Sequence, residues 1–114
     1  MPPENITREV ADESAEHQLF FTGTAVDGPA SDQPGAALSH GYDDTDSGGL
    51  PLGLSNTIVA TAGSGQLTVT LRHLPPVSGT ATKTSDLAAQ VKAGGFASIP
   101  GDSNVQVTFM ATVQ

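Results

Sequence analysis

Hydrophobic and polar residues alternate most cleanly in two stretches of the chain. In residues 66–74, Leu67, Val69 and Leu71 fall on one side of an extended backbone, and Thr68, Thr70 and Arg72 on the other. In residues 104–114, Val105, Val107, Phe109, Ala111 and Val113 share one face, and Gln106, Thr108, Met110, Thr112 and Gln114 the other. A period of two predicts strands with one drier and one wetter face. Residues 16–25 predict another strand, with His17, Leu19 and Phe21 opposite Gln18, Phe20 and Thr22. With Phe on both faces, neither face should lie wholly in water. Residues 37–42 and 55–61 predict shorter strands.

The punctuation between these segments is turn chemistry. Gly28, Pro29, Pro34 and Gly35 predict a surface loop over 27–36. Residues 62–65 (Ala-Gly-Ser-Gly) predict a hairpin turn into the strand that follows. Pro75-Pro76 ends that strand, because proline cannot donate to a ladder, and 78–84 predict a flexible connection. Residues 85–93 are the best helical segment. Ser85 can cap it, Asp86 and Lys92 match the two ends of its dipole, and Gly94-Gly95 stops it. Leu87 and Val91 point the same way, so this short helix should plug one end of the fold. A weaker helical signal lies in 5–15, where Asn5 or Thr7 can cap.

Four to five strands with one or two short helices predict a mainly β protein, an antiparallel β-sandwich of Ig-like or Greek-key type. Residues 1–114 read as one domain with 1–15 as a lead-in. The connection between the two best strands permits either a Greek-key return or a crossover. A complete sandwich has about seven strands. The shortfall predicts unpaired edges, to be completed by strands from a partner or from an upstream segment, and open edges recruit strands.

Composition narrows the function classes. The 114 residues include no cysteine, which excludes disulfides, thiolate zinc sites and a Cys nucleophile. Four basic residues against twelve acidic ones, a net charge of −8, argue against nucleic acid and anionic membranes as partners. No segment is long and apolar enough to span a bilayer. Met1-Pro2-Pro3-Glu4-Asn5 does not read as a signal peptide. Abundant Thr, Ser, Gly and Ala with scarce Lys suit an extracellular or cell-surface module. The charge is lopsided: ten of the twelve acids lie in residues 1–46, while three of the four bases, Arg72, Lys83 and Lys92, follow.

Few residues carry candidate chemistry. Asp43, Asp44 and Asp46, on a Gly-containing turn, offer the hard oxygen ligands that Ca²⁺ takes. The spacing is a fragment of an EF-hand loop without its far bidentate Glu, and the same residues suit a solvated turn. His17, His40 and His73 all lie on predicted strands and would form a metal or proton-relay site if they met. Packed strand histidines are the plainer reading. Ser39, His40 and Asp43 are triad residue types without a nucleophile elbow. Gly48-Gly49 and Gly94-Gly95 lack the Lys or the spacing of phosphate loops. Asn5-Ile6-Thr7 fits a glycosylation sequon.

Several blocks in order resemble a known family. They are Ile6-Thr7-x-Glu9-Val10, then Glu16-His17-Gln18-Leu19-Phe20-Phe21, then Tyr42-x-Asp44-x-Asp46-x-x-Gly49-x-Pro51-x-Gly53-Leu54-Ser55. Gly65-x-Leu67-x-Val69-x-Leu71-Arg72-His73-x-Pro75 and Asp102-x-x-Val105-x-Val107-x-Phe109 complete them. Together they resemble the C-terminal part of small secreted or surface proteins of Bacteroidota that carry the label "type 1 periplasmic binding fold superfamily protein". The chain has no βαβ rhythm, so the label does not suit it. The resemblance implies a secreted or surface setting and no particular activity. Members begin with a lipoprotein-like signal and further strands, so Met1 is expected to be internal to a longer precursor. The expected function is a non-catalytic structural surface protein, filament or surface-layer subunit, self-associating through strand edges and stabilised by Ca²⁺. The alternative is a carbohydrate- or ligand-binding module.

Overall fold

A computed structural model describes residues 13–114. The elements are β1 (His17–Thr22), β2 (Val26–Asp27), β3 (Leu38–Tyr42), β4 (Asn56–Ala60), β5 (Gly63–His73), α1 (Leu87–Gly94) and β6 (Asp102–Val113). They form two three-stranded sheets, ordered β1-β5-β6 and β2-β3-β4. The fold is therefore mainly β, a small sandwich, as the alternation predicts. All pairings are antiparallel except the two-residue β2–β3 ladder, which is parallel. The helix expected in 5–15 falls largely outside the described residues; at its end Ser14–Glu16 forms a single 3-10 turn.

The sheets are joined where the chain passes from β1 to β2. Gly23 takes φ 112, and a Cβ there would lie 2.2 Å from the Gln66 carbonyl oxygen, so only glycine fits. Just beyond it, the Ala25 N–H donates to Gln66 O of β5 while Ala25 O accepts from the Leu38 N–H at the start of β3. One bent stretch thus serves both sheets, a common way to build a corner.

Two expectations are corrected here. Residues 27–36 do not form a surface loop throughout: Ala30 and Ser31 are buried. A turn closed by reciprocal Gly28–Ser31 bonds folds them inward, and Ser31 Oγ donates to Gly23 O. Residues 62–65 are not a hairpin turn. β4 pairs with β3, whereas Gly63, Ser64 and Gly65 already belong to β5 and face Val113, Thr112 and Ala111 of β6. These glycines serve close approach: a Cβ on Gly65 would lie 2.8 Å from Ala25 N.

The long link from β5 to β6 returns antiparallel to its neighbour, so it is not a crossover. On the way it lays α1 over β1 and β5. Leu87, Ala88 and Val91 of the helix join Phe20, Ala30, Leu74 and Ile99 in the main core, with Tyr42 and Phe96 packed against it. The rings of Phe20 and Phe96 meet edge-on at 5.4 Å. The helix begins one residue later than expected. Asp86, not Ser85, is the N-cap residue, and its carboxylate accepts from Thr84 Oγ1 and Gln90 Nε2 rather than from helix N–H groups. Gly95 ends the helix, its N–H donating to Val91 O.

Arg72, on the polar face of β5, clasps the return of the chain. Its guanidinium donates to the carbonyls of Pro100, Phe96 and Ile99 and to Ser103 Oγ. Four acceptors around one planar fork fix where β6 begins. There the ladder slips: Leu71 pairs with Val105 and Arg72 with Ser103, leaving Asn104 as a bulge.

Candidate functional site

The acidic loop after β3 is built as a set of anchors. Asp44 accepts three backbone N–H groups, Gly53 on Oδ1 (2.7 Å) and Leu54 and Ser55 on Oδ2 (2.9 and 3.1 Å). Asp46 Oδ1 accepts from Gly48 and Leu50 at 2.7 and 3.0 Å. Its Oδ2 meets Lys83 Nζ at 2.8 Å in a buried ion pair. Lys83 also donates to Ser14 O, so it ties the loop to the start of the described chain. Asp43 Oδ2 accepts from Thr57 Oγ1 at 2.6 Å. Each carboxylate is thus committed to a different protein donor. Among the described residues, no three His, Cys, Asp or Glu side chains are grouped so as to hold a metal ion.

Burial alone would raise the Asp46 pKa. The Lys83 ammonium and the Leu50 and Gly48 amides outweigh it and hold the carboxyl below its usual range. Lys83 was absent from the expected sites because it lies in the Gly- and Thr-rich 78–84 stretch. A signal that could have found it is the charge asymmetry: a first half this acidic needs a base from the second half wherever its carboxylates are buried.

The three histidines do not meet at one place. His17 and His73 are cross-strand partners whose rings stack at 4.8 Å. His17 Nδ1 bonds Glu13 O and His73 lies 3.5 Å from Glu16. His40 sits elsewhere, at the seam between the sheets, with its ring 4.2 Å from Phe21 and 4.8 Å from Tyr42. Its Nε2 faces Asn56 Oδ1 at 2.8 Å, while Asn56 Nδ2 donates to Gly53 O. That assigns the proton to Nε2 and leaves Nδ1 buried, with no partner among the described residues. Burial lowers the His40 pKa despite the Asn56 bond and the nearby Asp43 charge. Ser39 lies on the other face of β3, exposed, and Asp43 is committed to Thr57, so no triad forms.

Tyr42 completes the seam. Its hydroxyl donates to Leu19 O at 2.5 Å and accepts from Gln18 Nε2 at 3.3 Å. Burial, helped by the Asp44 charge, outweighs the Gln18 bond and pushes its pKa to about 12. The Leu19 N–H in turn donates to Leu52 O, so the outer edge of β1 is covered.

Two surface features could meet a partner. A hollow of about 430 Å³ lies between Ser31, Asp32 and Gln33 on one side and Val91, Lys92 and Phe96 on the other. Its one aromatic ring, Phe96, is already engaged with Phe20 and Arg72. The other feature is β6. It is the last strand of its sheet and 12 residues long, and among the described residues no strand pairs with its outer edge. Val105, Val107 and Phe109 are 41%, 51% and 48% exposed, whereas Leu71 and Leu67, the β5 partners of Val105 and Phe109, are only 7% exposed. At the far end of the other sheet, β4 also exposes Ile58 and Val59. Comparison with protein-family models, curated proteins and solved structures finds no match, so chemistry and geometry alone carry the functional reading.

Proposed function

We propose that this chain is a non-catalytic structural module, extracellular or cell-surface, that assembles with other subunits through its open sheet edges. The observation that carries this reading is β6. An apolar row stays half-exposed on a terminal strand long enough to template another strand. Soluble monomers blunt such edges with charges, prolines or bulges. β6 has a bulge only at Asn104 and no charged or proline residue from Ser103 onward. The Thr-, Ser- and Gly-rich, Lys-poor composition supports the extracellular setting. Among the described residues, two unpaired edges, β6 and β4, lie at the ends of the two strand orders, which is what a subunit of a filament or layer needs.

Sedimentation velocity over a concentration series, with electron microscopy of the concentrated sample, tests this. Species that grow with concentration support assembly. One monomeric boundary at every concentration contradicts it.

A further inference from the structure

The assembly reading says nothing of which edge mates or in what geometry. Resting on that reading, we propose that β6 pairs antiparallel with β6 of a second copy, around a twofold axis through Val107. Four observations on the strand favour a second copy over an unlike partner.

First, the strand is self-complementary about Val107. In an antiparallel pair centred there, Val105 of each copy lies opposite Phe109 of the other, and Val107 lies opposite Val107. Such cross-strand apolar and aromatic pairs are the unit of sheet stabilisation. Second, the strand is electrically suited to its own kind. The whole chain carries −8, yet residues 103–114 carry no charge, so two acidic copies meet here without like charges in register. A partner selected by charge would find only Asp102, at the start of β6, to read. Third, the strand is long enough to pair with itself: centred on Val107, residues 102–112 of each copy lie opposite one another, whereas β4 offers five residues.

Fourth, the joint would finish what each copy leaves open. The two sheets would merge in the order β1-β5-β6-β6-β5-β1. The apolar face that begins at Leu19 and Leu71, covered by Leu52, would continue across both copies. Isologous pairing of this kind closes as a dimer at β6 and leaves β4 free.

The chain's lack of cysteine makes a clean test possible, because one introduced thiol is the only one. Directly opposed strand residues have Cβ atoms about 4.5–5.5 Å apart, close to what a disulfide spans. Val107→Cys should therefore form a covalent dimer under mild oxidation. Val107→Lys should sediment as a monomer, with circular dichroism confirming that it is folded. Val59→Lys on β4 should keep the dimer.

Association that survives Val107→Lys but is lost in Val59→Lys overturns the β6 pairing while leaving assembly through an edge intact. Association abolished by Val107→Lys, but with no crosslink in Val107→Cys, overturns the twofold register. A wild-type chain that is monomeric at every concentration removes the assembly reading itself.

Discussion

The β1 end of the molecule and the β6 edge start from the same sequence pattern and end in opposite states. In β1, Phe20 is 0% exposed beneath α1, and the strand's outer edge is covered by Leu52 O and the Tyr42 hydroxyl. In β6, the more regular alternation of the two leaves Val107 and Phe109 about half in water. The difference teaches that alternation reports which residues share a face. Whether a second layer covers that face depends on the rest of the chain. Here the helix, the 43–54 loop and the β3 seam all gather over β1 and the adjoining half of β5, and none reaches β6.

Substitutions should separate the two regions most. Phe20→Ala should cost about 3–5 kcal/mol, since it empties a fully packed site. Val107→Thr should stay within about 0.5 kcal/mol when measured on dilute, unassociated protein. Urea titration of both variants checks this; equal losses would erase the distinction.

The next largest effect belongs to the pinned loop. Lys83→Met leaves the Asp46 carboxylate buried and unpaired and should cost about 3–5 kcal/mol. Adding Asp46→Asn should recover most of that loss, because an amide oxygen can still accept the Gly48 and Leu50 N–H groups. A double variant as unstable as the single one would show that the pair does more than satisfy charge.

The seam should make stability depend on pH from both sides. Tyr42 stays neutral in the fold up to about 12, while an unfolded tyrosine ionises near 10. Its contribution, on the order of 2 kcal/mol, is intact below about pH 10 and is lost as pH rises toward 12. Tyr42 is the only tyrosine, so phenolate absorbance reports it directly. On the acid side the folded pKa of His40 lies below its ordinary value. The unfolded chain then binds the proton first, and stability falls as pH drops below about 6.5 and through the folded pKa. Asp46, held low by Lys83 and two amides, adds a further loss as pH falls through the carboxylate range. A flat profile between pH 5 and 8, checked by thermal unfolding, would contradict the His40 environment.

The smallest effect expected is from calcium. The oxygens of Asp43, Asp44 and Asp46 that would bind it are accepting from Thr57, five backbone N–H groups and Lys83. Neither millimolar Ca²⁺ nor a chelator should move the unfolding midpoint. A clear upward shift with Ca²⁺ would mean that the loop rearranges to bind it.

Much of the sandwich was legible in the chain. The alternation in 66–74 and 104–114 placed β5 and β6, and the Gly94-Gly95 stop placed the helix end. The fate of Gly63 and Gly65 was not legible, because glycine marks a turn and a close backbone approach with the same letter. Nor was the inward fold of Ala30 and Ser31, since turn residues predict a reversal but not which way it points. The acidic turn was visible as Asp43, Asp44 and Asp46, but their use as anchors depends on Lys83, far along the chain. Gln18 and Tyr42 meet through the sheet seam, a contact that no local pattern encodes.

Amide hydrogen exchange tests the open-edge account most directly, with the protein followed at dilute and concentrated extremes. The account predicts that amides of β1 and the paired side of β5 are protected at both concentrations. Outward-facing amides of β6 between Val105 and Phe109 should exchange fast when dilute and slow markedly when concentrated. Fast exchange of those amides at every concentration, or full protection already in the dilute monomer, would contradict it.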